Sequence, residues 1–249
     1  TVRVQKMSKS LDNFFSIRDV LKRFTPEALR WFLLTTHYRA PLAFGPRHLD
    51  EAERRVQYLY ETLQKAATYC TENEPREGDD FATTFGKGNF PFKPFAEFSQ
   101  AMNDDFSTPR ALASFYEMLK IANALVSSRE KEIIGRKLKP ADRSRILAEW
   151  RTIVDKMTAI LGVGQTEPAA YLKAQRDQRC GVLGVDTNEV DRLIQERFLA
   201  RQQKDFERSD VLRAQLTEMG IPSTNIKTSN LCTFESLKFH SYRRDGSKA

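Results

Sequence analysis

Residues 47–70 read RHLDEAERRVQYLYETLQKAATYC. Leu49, Ala52, Val56, Leu59, Leu63, Ala66 and Cys70 recur alternately three and four residues apart, the spacing that puts side chains on one stripe of an α-helix. The stripe predicts a helix of about seven turns whose apolar seam other helices must cover. That requirement points to a mainly α fold, an antiparallel helical bundle.

The flanking sequence supplies the partners. Upstream, Ser16 stands three residues before Asp19 and can cap a short helix with Ile17, Val20, Leu21 and Phe24 on one face. Thr25 and Pro26 then open a second helix, with Leu29, Trp31, Phe32 and Leu33 as its apolar side. Downstream, residues 71–80 are polar and breaker-rich, and FGKGNFPFKPF at 85–95 reads as a loop. A third long helix follows Thr108 (cap) and Pro109, lined by Leu112, Phe115, Tyr116, Leu119, Ala122, Asn123 and Val126. A fourth runs from Asp142 to Leu161 through Ile146, Leu147, Trp150, Ile153, Val154, Met157 and Ile160, and Gly162 stops it.

Beyond residue 163 the periodicity fails. The expected division is a loop and connecting helix over 1–23, a bundle over 24–165, a linker over 166–188 and a small unit over 189–249. That unit holds helices near 189–203 and 206–219, with Gly220 as a stop, and a tail of weak strand character, so it reads as helical or mixed α/β.

Composition narrows the function. The 249 residues carry 40 Lys+Arg against 33 Asp+Glu, a formal charge of +7, which suits a polyanionic partner. Cys70, Cys180 and Cys232 show no ligand spacing, so a cytoplasmic protein without disulfides or its own metal is expected. No apolar run approaches the ~20 residues of a membrane span. Within 189–208, Arg197, Arg201, Lys204 and Arg208 lie four, three and four apart. They form one basic stripe on a continuous helix, a phosphate-binding face or a solvated one interleaved with Glu196 and Glu207. Asp205 can cap a following helix and bend that stripe.

KMSKS at 6–10, followed directly by LDNFFSIRDVLKRFTPEALRWFLL, resembles the second signature of class I aminoacyl-tRNA synthetases. HYRAPLAF at 37–44, AMNDDFSTPRALASFYEM at 101–118 and RFLARQQKDFERSDVLRAQLTEMGI at 197–221 resemble the cysteinyl-tRNA synthetase family in particular. The resemblance covers Lys6 to about Ile221 and implies a DALR-type bundle followed by an anticodon-binding unit. It implies that Lys9, assisted by Lys6, is catalytic, and that Lys6, Met7, Ser8, Lys9 and Ser10 form an ATP-binding loop. It further implies ATP as substrate, tRNA(Cys) as partner and a monomeric enzyme.

The chain departs from the family in three ways. Asp12 stands where glycine is more usual, and no tryptophan follows Trp150 in the tail, where Phe234, His240, Tyr242 and Arg243 are the available base contacts. No HIGH motif or dinucleotide fingerprint is found, so the adenosine site and the zinc ligands of the family are expected outside this chain, on an N-terminal catalytic half. The chain is thus expected to be a C-terminal part, inactive alone. His37 has two readings, a residue facing that half or a structural one. The alternatives are a non-enzymatic RNA-binding fragment and a cysteine ligase acting on an amino sugar, a family without the C-terminal unit.

Overall fold

A computed structural model describes residues 16–74, 93–135 and 137–219, and all regular structure among them is helical. In chain order the helices are α1 (Ile17–Leu21), α2 (Pro26–Leu34), α3 (Pro46–Glu72), α4 (Lys93–Asn103), α5 (Thr108–Val126), α6 (Glu130–Ile134), α7 (Pro140–Leu161), α8 (Pro168–Leu183), α9 (Thr187–Gln202) and α10 (Phe206–Glu218). The chain divides into two units, Thr1–Lys173 and Ala174–Ala249.

The first unit is built around α3 and α5. Leu49, Ala52, Val56, Leu59, Leu63 and Ala66 are all buried, and Cys70 at the end of the seam is half-buried. The helix is covered on more than one side, by α2, α5 and α7. Tyr60, Glu53, Gln57, Glu61 and Thr62 are therefore buried as well, outside the stripe. Buried polar groups need partners. Gln57 donates to Glu61 at 2.8 Å, and Asn123 of α5 donates to Thr62 Oγ1 at 2.7 Å. α5 is enclosed almost all round, with Ala111, Leu112, Phe115, Met118, Leu119, Ile121, Ala122 and Leu125 in the core.

The helix ends follow local chemistry, with two corrections. Ser16 accepts from the Asp19 amide at 3.2 Å and donates to its carboxylate at 2.6 Å, and Thr25 accepts from the Ala28 amide at 3.2 Å. Gly162 caps α7 at φ +68°, its N–H bonded to Thr158 O, a left-handed turn that glycine adopts without strain. The cap of α5 is Ser107, one residue before the expected Thr108. The expected linker is largely α8, whose buried residues Tyr171, Gln175 and Cys180 are too few and too polar to show a clear period. Some expected apolar faces are also only half used. Ile17, Leu33 and Ile160 are more than half exposed, and Ala28 takes the inward place beside Trp31 and Phe32.

One buried ion pair ties α5, α6 and α7 together. Arg143 lies 3.7 Å from Glu130, donates to Leu125 O and Ser128 Oγ, and sits 5.2 Å from the centre of the Tyr69 ring. Burial alone would raise the Glu130 pKa, but the amides of Glu130 and Leu138 and the Arg143 charge outweigh it and hold the carboxyl below its ordinary 4.5. A depressed folded-state pKa stabilises the fold above the ordinary value, and that contribution is lost as pH falls through the folded value. Acid unfolding followed by circular dichroism below about pH 4.5 should accordingly be shallower in Glu130→Gln than in the parent. Equal acid slopes would show that Glu130 adds nothing to the pH dependence.

The second unit has a small core of Cys180, Val190, Leu193, Leu212 and Leu216, flanked by Val185, Ile194 and Met219. Burial pushes the Cys180 thiol up, and the side chain serves as an apolar filler. The tail of weak strand character lies outside the described residues.

Candidate functional site

The loop residues Lys6, Met7, Ser8, Lys9 and Ser10, and Asp12 beside them, lie outside the described residues. The mount that receives the chain from them is described. After α1, the first turn of α2 is bonded to the segment that follows α7. Glu27 accepts from Tyr60 Oη at 2.6 Å and from the Gly164 amide at 2.8 Å. Thr25 Oγ1 and Tyr171 Oη are 2.8 Å apart, and Arg30 Nε donates to Leu161 O at 2.6 Å. Tyr60 and Tyr171 stack with ring centres 3.7 Å apart. Burial raises the pKa of both phenols well above the ordinary tyrosine value, so they stay protonated and Tyr60 remains a donor to the carboxylate. The result is a rigid anchor. No sequence signal pairs residues so far apart.

A second cluster holds the turn after α2. Asp105, in the left-handed region at φ +53°, accepts from Tyr38 Oη at 2.8 Å and lies 3.2 Å from the Arg39 guanidinium. His37 Nε2 is 3.0 Å from Asp105 O. These bonds give His37 a structural role between two loops.

The basic residues of the second unit are not one stripe. α9 ends at Gln202, Lys204 adopts φ +60°, and Asp205 accepts from the Arg208 amide at 3.0 Å to start α10. Arg197 is only 6% exposed. With Val190, Leu193 and Ala200 it occupies the inward face of α9, and the spacing of those four positions is the signal that the charge pattern concealed. Arg201 is half-buried, whereas Lys204 and Arg208 face solvent. Arg208 lies 3.6 Å from Glu196, which Arg192 also contacts at 2.8 Å.

A concavity of about 600 Å³ lies between α9 and α10, with Arg192, Glu196, Asp205, Arg208 and Gln215 in its lining. Phe206, 60% exposed, follows the Lys204 turn directly. The two guanidiniums of this lining stand among three carboxylates, Glu196, Asp205 and Glu207, so the concavity itself is not net positive; the exposed Lys204 beside the exposed Phe206 ring is the pair whose chemistry suits phosphates and unstacked bases. Neither Arg192 nor Phe206 stood out in the sequence, because each sits where an ordinary helical ion pair or core position would also be expected.

Three family models match the chain. Residues 1–54 match the tRNA synthetases class I (C) catalytic domain, and residues 97–165 match the DALR domain. Residues 151–249 match a model described as multi-copper polyphenol oxidoreductase laccase. Copper does not fit that stretch. It contains a single histidine, His240, with Cys180 and Cys232, and among the described residues no three His, Cys, Asp or Glu side chains are gathered to hold a metal. Among the described residues no helix is long and apolar enough to cross a membrane.

The chain is 42% identical over 218 residues to a cysteine--tRNA ligase of Anaeromyxobacter dehalogenans (strain 2CP-C), a match covering 87% of this chain and 41% of that protein. It is 34% identical over 227 residues to the cysteine--tRNA ligase of Geobacter metallireducens, covering 88% and 43%. The corresponding figures for Geobacter sulfurreducens are 33% over 223 residues, with 88% and 43% covered. The chain therefore spans about two fifths of the length of these relatives. The chain is thus similar over nearly nine tenths of its length to cysteine--tRNA ligases, and its class I synthetase catalytic-domain match is followed in the chain by a DALR match.

Proposed function

We propose that this chain supplies the KMSKS loop and the tRNA-binding elements of an enzyme that activates cysteine with ATP and transfers it to tRNA(Cys). The observation that carries the reading is one of order: KMSKS at 6–10 lies inside the catalytic-domain match, and the DALR match follows at 97–165. In activation the cysteine carboxylate attacks the α-phosphorus of ATP, the bond to the β-phosphate oxygen breaks, and pyrophosphate leaves. Catalysis of such a step is chiefly positioning and stabilisation of negative charge.

Lys9, with Lys6 beside it, provides that charge. Met7, Ser8 and Ser10 complete a loop that closes on the β- and γ-phosphates, and a contact strongest in the transition state raises the rate of the chemical step. The Glu27–Tyr60–Tyr171 anchor supports this role by fixing the segment into which the loop runs. The adenosine site and the zinc that reads the substrate thiol belong to an N-terminal catalytic half carrying residues this chain does not contain. Arg201, Lys204 and Arg208 meet the tRNA backbone, and Arg197 holds α9 in place from inside. A cytoplasmic setting suits the free thiols of Cys70 and Cys180, and the monomeric state belongs to the same reading.

ATP–pyrophosphate exchange tests the proposal. In the complete enzyme, Lys9→Ala should slow exchange by about 10²-fold, near 2.7 kcal/mol of barrier, with cysteine affinity little changed. The isolated chain should give no exchange above background. An unchanged rate in the variant would remove Lys9 from the mechanism.

A further inference from the structure

A second concavity, of about 370 Å³, opens in the first unit between α2, α3 and α5 and shares no lining residue with the Glu27–Tyr60–Tyr171 anchor. Its volume falls within the ~300–1,000 Å³ of small-molecule sites. Trp31 and Phe32 contribute an almost wholly buried aromatic floor. His48 stacks on Phe32 with ring centres 6.3 Å apart, and the Arg55 guanidinium lies 4.6 Å from the centre of the Tyr116 ring. Glu51 stands at the mouth, one turn before Arg55, its side chain 58% exposed. Its bond from Arg55 is long, at 3.4 Å, so the carboxylate keeps acceptor capacity.

We propose that this concavity is a subsite for one unpaired guanine base of a bound RNA. Aromatic rings stack any base, which makes the exposed His48 ring, lying on Phe32 above the buried floor, a general platform. The carboxylate supplies the selectivity. Guanine alone among the four bases presents N1–H and N2–H side by side, two donors that a carboxylate accepts together, and Arg55, beside Glu51, can donate to its O6. Cytosine and adenine each offer a single exocyclic amine, and uracil a single ring N–H. A charge of +7 on the whole chain favours a base that arrives on a polyanion. The proposal rests on the reading that this chain binds tRNA.

Two arms of one experiment separate the base from its source. The full chain is labelled with 5-fluorotryptophan, which gives one fluorine signal from Trp31 in the floor and one from the core residue Trp150. It is titrated with guanosine, cytidine and adenosine monophosphates, and then with tRNA. Guanosine monophosphate should move the Trp31 signal alone and bind about tenfold or more tightly than the other two. Glu51→Gln, which puts an amide donor against a donor of the base, should abolish that preference with helical content unchanged. Transfer RNA should displace the nucleotide.

Equal binding of the three nucleotides, or none, would overturn the guanine subsite even if tRNA still binds in a salt-dependent way elsewhere. Guanine-selective binding that saturating tRNA fails to displace would overturn the RNA source. Failure of tRNA to bind at all would overturn the wider reading while leaving the nucleotide arm intact.

Discussion

Replacing Trp150 by alanine is expected to destabilise the first unit by about 3–5 kcal/mol, the usual cost of removing a large aromatic side chain from a packed core. Trp150 is 0% exposed on α7, and its indole Nε1 donates to Met118 O of α5 at 2.7 Å. The substitution opens a cavity between the two helices that α3 cannot fill, because α3 already packs on both. The hydrogen bond is the smaller part of the loss: Trp150→Phe keeps most of the volume and should cost roughly 1–2 kcal/mol.

For a domain of this size each kcal/mol lowers Tm by about 2–4 °C. The alanine variant should therefore melt roughly 6–20 °C earlier. Urea unfolding followed by near-ultraviolet circular dichroism, with Trp31 as the remaining indole, would report it. A loss below about 1 kcal/mol would mean that the α5–α7 contact is not where the stability of this unit resides.

The residues that could be read from sequence share one property: their neighbours in space are also their neighbours along a helix. The seam of α3 from Leu49 to Ala66, the caps at Ser16 and Thr25 and the stop at Gly162 all depend on spacing within a few residues. What eluded the sequence depends on packing between distant segments. The burial of Glu53, Gln57 and Glu61 follows from the covering of α3 on several sides, and a one-stripe pattern cannot express it.

The site divides in the same way. KMSKS and its context stand out as a resemblance because they are contiguous. The anchor made by Glu27, Tyr60, Gly164 and Tyr171 could not, because it joins three separate stretches. Arg197 shows how a charge pattern misleads. Its spacing to Arg201 and Lys204 suggested a common outward face, but its spacing to Leu193 and Ala200 gives the opposite orientation, and the packing of α9 on α10 selects the second. A basic residue with a long aliphatic stem can take such a place without exposing its whole length.

That reorientation changes which cations should carry tRNA affinity. Replacing Arg201, Lys204 and Arg208 together by Glu is expected to weaken tRNA binding by about 10²–10³-fold near 0.1 M salt, since each lost phosphate contact removes ~0.7–0.9 from the log–log salt slope. The slope itself should flatten by about two to three units. The core residues of this unit, Cys180, Val190, Leu193, Leu212 and Leu216, are untouched. Arg208 pairs with Glu196 across 3.6 Å, and exposed pairs of that kind contribute little to stability. Helical content should be retained.

Arg197→Glu supplies the contrast. It places a carboxylate on the inward face of α9 and should lower the stability of the unit before it changes any salt slope. Affinities measured at several salt concentrations, beside thermal melts of both variants, separate the two roles. If the triple variant keeps both its helicity and its salt slope, the three cations do not meet phosphate, and tRNA must be held by other parts of the enzyme. If instead Arg197→Glu flattens the slope without lowering the melting temperature, the side chain reaches phosphate after all and the inward placement of Arg197 is wrong.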